Sequence, residues 1–230
     1  MSLMTRQELT LRAERLSIFE SAARRIAERA VGQKEKFRWG VYQTLFGDVS
    51  TISYVSQAED WAEIEARELV DALVQRLLGE KEGQKALDEI RSSIERAHHT
   101  VSIERPELSY LPDQTGRPAP FAMVTVIRVR PGANDAFEEL IRKIAEAIPK
   151  VDEPVRLVVR QTIVGNLREY ATIRPLQSLK ELSAQRTPAD LLTRAFGAAE
   201  GGLIFRTGNE AIEHIERRIV AYRQDLSNPR

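Results

Sequence analysis

The sequence predicts an α+β fold in which one βαββαβ unit is written twice. Three observations predict it: a hairpin pattern that recurs at a fixed offset, a helix face that recurs at the same offset, and the order strand, helix, hairpin, helices, strand in the second half. The hairpin is Arg38–Ser56, RWGVYQTLFGDVSTISYVS, which lines up without gaps on Arg156–Arg174, RLVVRQTIVGNLREYATIR. Arg38, Val41, Gln43, Thr44 and Gly47 fall on Arg156, Val159, Gln161, Thr162 and Gly165, an offset of 118 residues from 43 to 161. Glu63 and Ala66 meet Glu181 and Ala184 at that offset.

Each stretch is rich in β-branched and aromatic residues and is broken by Gly-Asp or Gly-Asn, the pattern of a hairpin with a tight turn. In that register residues 45 and 50 pair, Gln43 faces Ile52 and Val41 faces Tyr54. Trp39, Val41, Gln43, Ile52 and Tyr54 then share one side of the sheet, as do Leu157, Val159, Gln161, Tyr170, Thr172 and Arg174 in the second copy. The opposite side carries Gly40, Tyr42, Phe46 and Val55, and Val158, Val164, Ala171 and Ile173. Gly40 and Ala171 suit close helix approach, so the helices are expected there and the Gln43/Gln161 side is expected to face the space between two sheets.

From the start of the chain, Thr5–Glu8 has the form of a capping box. Leu9, Leu16, Phe19, Ala23, Ile26 and Ala30 follow at helical spacing, so Arg6–Val31 is predicted as mainly helix. A short first strand at Glu8–Arg12 competes with it, because Leu9 is the counterpart of Ile127 on a clear strand; helix is favoured. Asp60–Leu78 is predicted as an amphipathic helix stopped by Gly79, and Gln84–Ala97 as a second one. Thr100–Glu104 reads as a strand ended by Pro106. Leu108–Pro120, LSYLPDQTGRPAP, has three prolines and no periodicity and is read as a linker. It divides a first repeat, 1–107, from a second, 121–230.

The second repeat opens with the strand Phe121–Arg130, turns at Pro131-Gly132 and enters the helix Asn134–Ile148. Phe137, Leu140, Ile141, Ile144, Ala145 and Ile148 of that helix fall on Phe19, Ala22, Ala23, Ile26, Ala27 and Ala30, apolar at every position. Leu176–Gln185 and Ala189–Phe196 are predicted helical with Pro188 breaking between them, Gly197 is the partner of Gly79, Gly197–Gly202 is read as a loop, and Asn209–Ile219 as a late helix. Its continuation, Tyr222–Ser227 (YRQDLS), matches Glu104–Ser109 (ERPELS). A last strand is expected near Ile219–Arg223. This βαββαβ order is the ferredoxin-like order. Its sheet is covered by helices on one face only, and two copies in one chain supply a partner for the bare face. The expectation is tandem ferredoxin-like repeats forming an intramolecular α/β barrel of antiparallel sheets.

Composition bounds the function. With 42% hydrophobic and 30% charged residues the chain has globular composition. Net charge is zero, so no field of one sign attracts nucleic acid or an anionic membrane. No apolar run approaches the roughly 20 residues that span a bilayer. The absence of cysteine removes disulfides, thiolate nucleophiles and Cys-based metal sites. A cytoplasmic location is expected, and self-association as a homo-oligomer.

Val124–Ile141, VTVIRVRPGANDAFEELI, looks like the opening of a domain of the dimeric α/β-barrel superfamily, and by strand order the chain resembles that superfamily over both halves. Its members include antibiotic-biosynthesis-type monooxygenases, NIPSNAP-like proteins and two-copy chlorite dismutase-like haem proteins. The resemblance is architectural; many functions sit on this fold.

Trp39, Gln43, Tyr54, Gln161, Tyr170 and Arg174 are the candidate ligand-binding residues, since ligands favour concave sites between layers. They suit a planar or anionic small molecule held by stacking and charged hydrogen bonds. The competing expectation is a polar network in a filled barrel, with each Gln and Tyr bonded to protein; the presence of Gln-Thr in both copies favours it. The function expected is small-molecule binding, in the form of a cofactor-free, monooxygenase-like enzyme if catalytic, with a structural or interaction module as the alternative and a haem protein as a third. No catalytic residue is assigned, no cofactor is expected, and no metal site. In the resembled haem proteins a helix histidine holds the iron, which makes His214 the haem-ligand candidate here. His98 and His99 are placed at a helix end.

Overall fold

The computed structural model describes residues 2–111 and 118–229. It contains eight strands and seven α-helices among the described residues. The strands are ordered β1-β3-β2-β8-β5-β7-β6-β4 in a closed antiparallel barrel, and the fold class is α+β, ferredoxin-like, as expected. The chain forms two compact units. Unit 1 comprises Met1–Val101 and Ala221–Arg230, and unit 2 comprises Ser102–Val220.

Unit 1 contains β1 (Leu3–Leu11), α1 (Leu16–Gly32), β2 (Gly40–Phe46), β3 (Thr51–Ala58), α2 (Trp61–Glu65), α3 (Val70–Leu78), α4 (Glu80–Ser93) and most of β4 (Ile94–Glu104). Unit 2 contains β5 (Phe121–Val129), α5 (Asn134–Lys150), β6 (Val158–Val164), β7 (Glu169–Leu176), α6 (Pro188–Phe196), α7 (Ala198–Glu210) and most of β8 (Ile212–Tyr222). Each strand of unit 2 begins and ends 118 residues after its counterpart, as Leu3–Leu11 against Phe121–Val129 illustrates.

The hairpin register is the predicted one. Val41 pairs Tyr54 and Gln43 pairs Ile52; Val158 pairs Ile173 and Gln161 pairs Tyr170. The predicted helix face is also the buried one. Phe19, Ala22, Ala23, Ile26, Ala27 and Ala30 are the buried residues of α1. In α5 they are Phe137, Leu140, Ile141, Ala147 and Ile148, with Ile144 partly buried and packed beside them.

Several elements differ from expectation. Arg6–Val31 is not one helix: Leu3–Leu11 is a strand, and the helix starts only at Leu16. Pairing with β3, Leu9 against Ile52, supplies the ladder that local sequence does not advertise. The predicted Asp60–Leu78 helix is two. Asp60 caps α2 by accepting the Glu63 N–H, and the chain breaks before α3, where the Arg67 guanidinium donates to the Gln57 carbonyl. Gln84–Ala97 and Asn209–Ile219 both change from helix to strand, at Ile94 and Ile212, so His98, His99 and His214 lie on strands. GAAEGG is not a loop but the start of α7. Leu179–Ala184 is a 3-10 turn, and Pro188 opens α6 instead of breaking a helix. Of the linker, Leu108 closes a 3-10 turn and Tyr110 bridges to Leu157; residues 112–117 lie outside the described residues.

The helix corners α3–α4 and α6–α7 turn on Gly79 and Gly197, at φ 85° and 87°, a region costly for a residue with a Cβ. Past the second corner the helices touch backbone to backbone. A Cβ on Gly201 would collide with the Leu192 carbonyl and stand 2.8 Å from the Thr193 nitrogen, whereas one on Gly202 meets nothing within 4 Å. Gly201→Ala is therefore expected to lower the unfolding free energy by about 2 kcal/mol. The adjacent Gly202→Ala is expected to leave it unchanged or raise it by about 0.5–1 kcal/mol. Urea unfolding of the two variants checks this; equal effects would contradict the contact.

Candidate functional site

The predicted sides are grouped correctly but face the other way. Trp39, Val41, Ile52 and Tyr54 pack with Phe19, Ala22 and Ala23 of α1, and Val159 and Tyr170 with Phe137 and Ile141 of α5. The Gln43 and Gln161 side is thus the helix-facing side of each sheet. Gly40 does not admit a helix. It lies beneath the rings of Tyr42 and Tyr222, 5.4 Å apart by centroid, with Val55 beside them.

On each helix-facing side the sequence match ERPELS/YRQDLS becomes a strap held by an arginine fork. In unit 2, Arg105 Nη1 and Nη2 donate to the two carboxylate oxygens of Glu138 on α5 at 2.8 and 2.7 Å. Nη1 also donates to Gln161 Oε1 at 2.5 Å, and Nε to Glu107. Tyr170, fully buried, donates its hydroxyl to the same Glu138 oxygen at 2.6 Å. In unit 1, Arg223 Nη1 donates to Glu20 on α1 at 2.6 Å and to Gln43 at 2.5 Å, while Nε and Nη2 chelate Asp225 at 2.9 Å. Arg24 donates to Asp225 from the other side. The straps are pinned alike: the Ser109 and Ser227 hydroxyls donate to the Arg105 and Arg223 carbonyls and accept from the Val159 and Val41 N–H groups. Leu108 and Leu226 are buried.

These charged bonds shift titrations in the expected directions. The Arg105 guanidinium holds Glu138 below the ordinary carboxylate range, and Arg223 does the same for Asp225. Burial, then the bond to Glu138, pushes the Tyr170 phenol up.

The candidate residues are therefore distributed as follows. Trp39 donates its indole N–H to the Leu226 carbonyl at 2.9 Å. Tyr54 stands edge-on to Phe19, ring centroids 6.4 Å apart, with its phenol pushed up by burial. Gln43 joins the Arg223 fork. In unit 2, Gln161 and Tyr170 meet through Arg105 and Glu138. Arg174 lies apart, further along β7. The sequence does not single out the fork residues Arg105, Arg223, Glu20 and Glu138; the strap match is visible in it, but only the fold shows what its arginine grips.

Arg174 is 9% exposed, and among the described residues none hydrogen-bonds to its guanidinium. Burial pulls its pKa down, opposed by the carboxylates of Glu153 and Glu181. Both have partners of their own. Glu153 is paired with Arg186, and Glu181 accepts from the Gln177 and Ser178 N–H groups. Unit 1 handles the equivalent place differently. Ser56 stands where unit 2 has Arg174, and Arg67 enters from the α2–α3 break. Its guanidinium donates to Ser56 Oγ at 2.9 Å and the Gln57 carbonyl at 2.5 Å, and it lies 5.3 Å from the centre of the Phe37 ring. Thr5, paired with Ser56, adds a second hydroxyl; its counterpart in unit 2 is Met123, paired with Arg174. The Arg67 guanidinium finds acceptors for both terminal nitrogens while its Nε is buried without one; the Arg174 guanidinium has none among the described residues.

No protein-family model and no curated protein sequence matches this chain. Solved structures match it over nearly its full length. An anthrone oxidase-like protein is 14% identical with a TM-score of 0.61, covering 99% of this chain and 93% of its own. A presumed monooxygenase from Lactobacillus acidophilus NCFM is 7% identical with a TM-score of 0.56, covering 99% and 96%. Chlorite dismutase from Candidatus Nitrospira defluvii, solved with imidazole, is 14% identical with a TM-score of 0.54, covering 98% and 93%. At such identities the likeness is one of fold: this chain has the fold of the dimeric α/β-barrel superfamily, as the sequence resemblance implies.

Haem, which that resemblance brings with it, does not fit the residues present. His98, His99 and His214 are all exposed on β4 and β8. The helix-facing residues Val159 and Tyr170 pack on Phe137 and Ile141 without a histidine among them. Haemin added to the purified protein is expected to keep its free spectrum, and His214→Ala to leave that spectrum unchanged; a sharpened Soret band lost on that substitution would reverse the conclusion.

Glu138 and Asp225 are both depressed, so the stability they contribute is complete above the unfolded carboxylate range, about 4, and is lost as pH falls below it. The melting temperature is expected to drop between about pH 5 and pH 3. In Asp225→Asn it should start lower at neutral pH and fall less on acidification, which calorimetry across that range checks.

Proposed function

We propose that this is a small-molecule-binding protein whose ligand, planar or anionic, takes the unspent hydrogen bonds of Arg174 on the helix-facing side of unit 2. The single observation that supports the reading is that guanidinium. Its nitrogens are not among the buried side-chain atoms that lack a partner, so they reach water; an acceptor on a ligand would replace that water, whereas the same place in unit 1 is filled by the protein's own groups. Glu153 and Glu181 already balance the charge, so the ligand must bring acceptor geometry more than charge; a carboxylate or a conjugated carbonyl matches the planar fork. The enzymatic form of the reading is a cofactor-free oxygenase, supported by the fold shared with proteins described as monooxygenase and anthrone oxidase-like. A soluble, cytoplasmic, self-associating protein belongs to this proposal; among the described residues no helix is long and apolar enough to cross a membrane.

One observation favours the alternative of a non-enzymatic structural or interaction module. Gln43 and Gln161 both accept hydrogen bonds from protein arginines, in matching networks.

Sodium benzoate, planar and singly charged, separates the two. Wild-type protein is expected to melt at progressively higher temperature as benzoate replaces chloride at constant ionic strength, by mass action on the folded state. Arg174→Gln should abolish that response and, without benzoate, be as stable as wild type or more so by about 1 kcal/mol. No benzoate response, together with a loss of about 3 kcal/mol or more in Arg174→Gln, makes Arg174 a structural cation and favours the alternative.

A further inference from the structure

Unit 2 carries a second cation on the helix-facing side of its sheet. Arg217, on β8, donates its Nε to the Thr125 hydroxyl at 3.1 Å. Among the described residues nothing accepts from its two terminal nitrogens, and no carboxylate pairs with it. Those nitrogens reach water. Glu213, on the same side of β8, is already paired with Arg168.

Thr125 fixes where this guanidinium stands. It is buried and pairs with Thr172 across the β5–β7 ladder. It lies two residues before Ile127, which packs with Phe137 of α5, so its side chain belongs to the helix-facing side. Arg174 follows Thr172 by two residues and pairs with Met123. Thr125 and Arg174 are therefore diagonal neighbours on one face, with Cα atoms about 7–8 Å apart. Two guanidiniums thus belong to one patch of unit 2, together with the hydroxyls of Thr125 and Thr172.

The two cations differ in what they lack. Glu153 and Glu181 oppose the fall in the Arg174 pKa, so Arg174 has charge nearby but no acceptor. Arg217 has one hydroxyl acceptor and no carboxylate. Unit 1 has neither arginine in these places. Ser56 stands for Arg174 and His99 for Arg217, and Tyr54, paired with Gln7, stands where unit 2 has Thr172 paired with Thr125. The patch changes between the units while the arginine fork beside it is kept.

We infer that the ligand of unit 2 is a planar dianion, an aromatic or conjugated dicarboxylate, with one carboxylate on Arg174 and the other on Arg217. The inference rests on the reading of Arg174 as a ligand-binding residue and adds the far end of the ligand. A guanidinium with both terminal nitrogens open matches a carboxylate side-on. The bond to Thr125 holds the Arg217 side chain before the ligand arrives, so less rotational freedom is lost on binding. Arg217 is exposed, so its pairing adds little affinity by itself. Its part is to separate a dianion from a monoanion.

Sodium terephthalate compared with sodium benzoate tests this, near neutral pH and at constant ionic strength. Both place a carboxylate on a benzene ring; only terephthalate carries a second, at the opposite end. Wild-type protein is expected to reach a given rise in melting temperature at an about fivefold lower concentration of terephthalate than of benzoate, as one exposed ion pair contributes. In Arg217→Gln the two concentrations should coincide. Arg217→Lys, which keeps the charge and loses the fork, should fall between wild type and Arg217→Gln. Arg174→Gln should abolish both responses, and circular dichroism confirms that each variant is folded. A rise with benzoate that terephthalate only equals overturns this inference and leaves the reading of Arg174 standing, as does an advantage of terephthalate that survives Arg217→Gln. An advantage that survives Arg174→Gln puts the dianion elsewhere and overturns the inference too. No rise with either compound overturns the reading of Arg174 and this inference together.

Discussion

Each unit depends on one charged hydrogen-bond fork. Arg105 and Arg223 each tie together three things that the chain makes separately: a strand, through glutamine; a helix, through glutamate; and a strap, through its own acid and backbone. Charge-assisted bonds of this kind are about twice as strong as neutral ones, and here they sit at the edge of an apolar layer where water competes poorly. Take the guanidinium away and Glu20 on α1 loses its charged partner, Glu138 on α5 keeps only the Tyr170 hydroxyl, the glutamine loses its donor, and the leucine beneath has no reason to stay. The helix, sheet and strap are separately ordinary; their mutual position follows from the fork.

Set beside this sameness, the differences between the units become informative. The forks, the serine pins and the helix corners match between the copies. The second guanidinium does not: Arg67 reaches in from a helix break and finds two hydroxyls and a carbonyl, whereas Arg174 rises from the strand and finds Met123. Where the two units agree, the shared feature answers to folding, which both must accomplish. Where they part, the constraint is no longer common to both, and a specific task in one copy is the natural place to look.

What can be read from sequence is whatever is local and periodic. The hairpin register follows from one glycine-led turn and the period of two. The buried faces of α1 and α5 follow from spacing, and the corner glycines from position. β1 is hidden because Arg6, Gln7 and Glu8 break its pattern and because its partner, β3, lies far along the chain, with Leu9 pairing Ile52. The first halves of β4 and β8 are hidden because residues 95–99 and 213–217 are exposed on both faces, so no alternation marks them. The sidedness of the sheet comes out inverted because a glycine reads as room for a helix; it is room for two tyrosine rings. Arg174 is legible as a residue, but its isolation is not, since that is set by Met123 and by the absence of an arginine at the position matching Arg67.

Gly83 and Gly201 carry a last consequence. At both, a Cβ would press into the backbone of the preceding helix, at Gln75 and Leu192 respectively. The two helices of each pair are therefore spaced by main chain and not by side-chain volume, so their separation is blind to almost every other substitution along them. That frees the outer surfaces of α4 and α7 to drift, and they have: EKEGQKALDEIRSS and AAEGGLIFRTGNE share little beyond Glu-Gly at the crossing. A joint set by backbone lets the same scaffold change its outward chemistry on one unit without retuning the other.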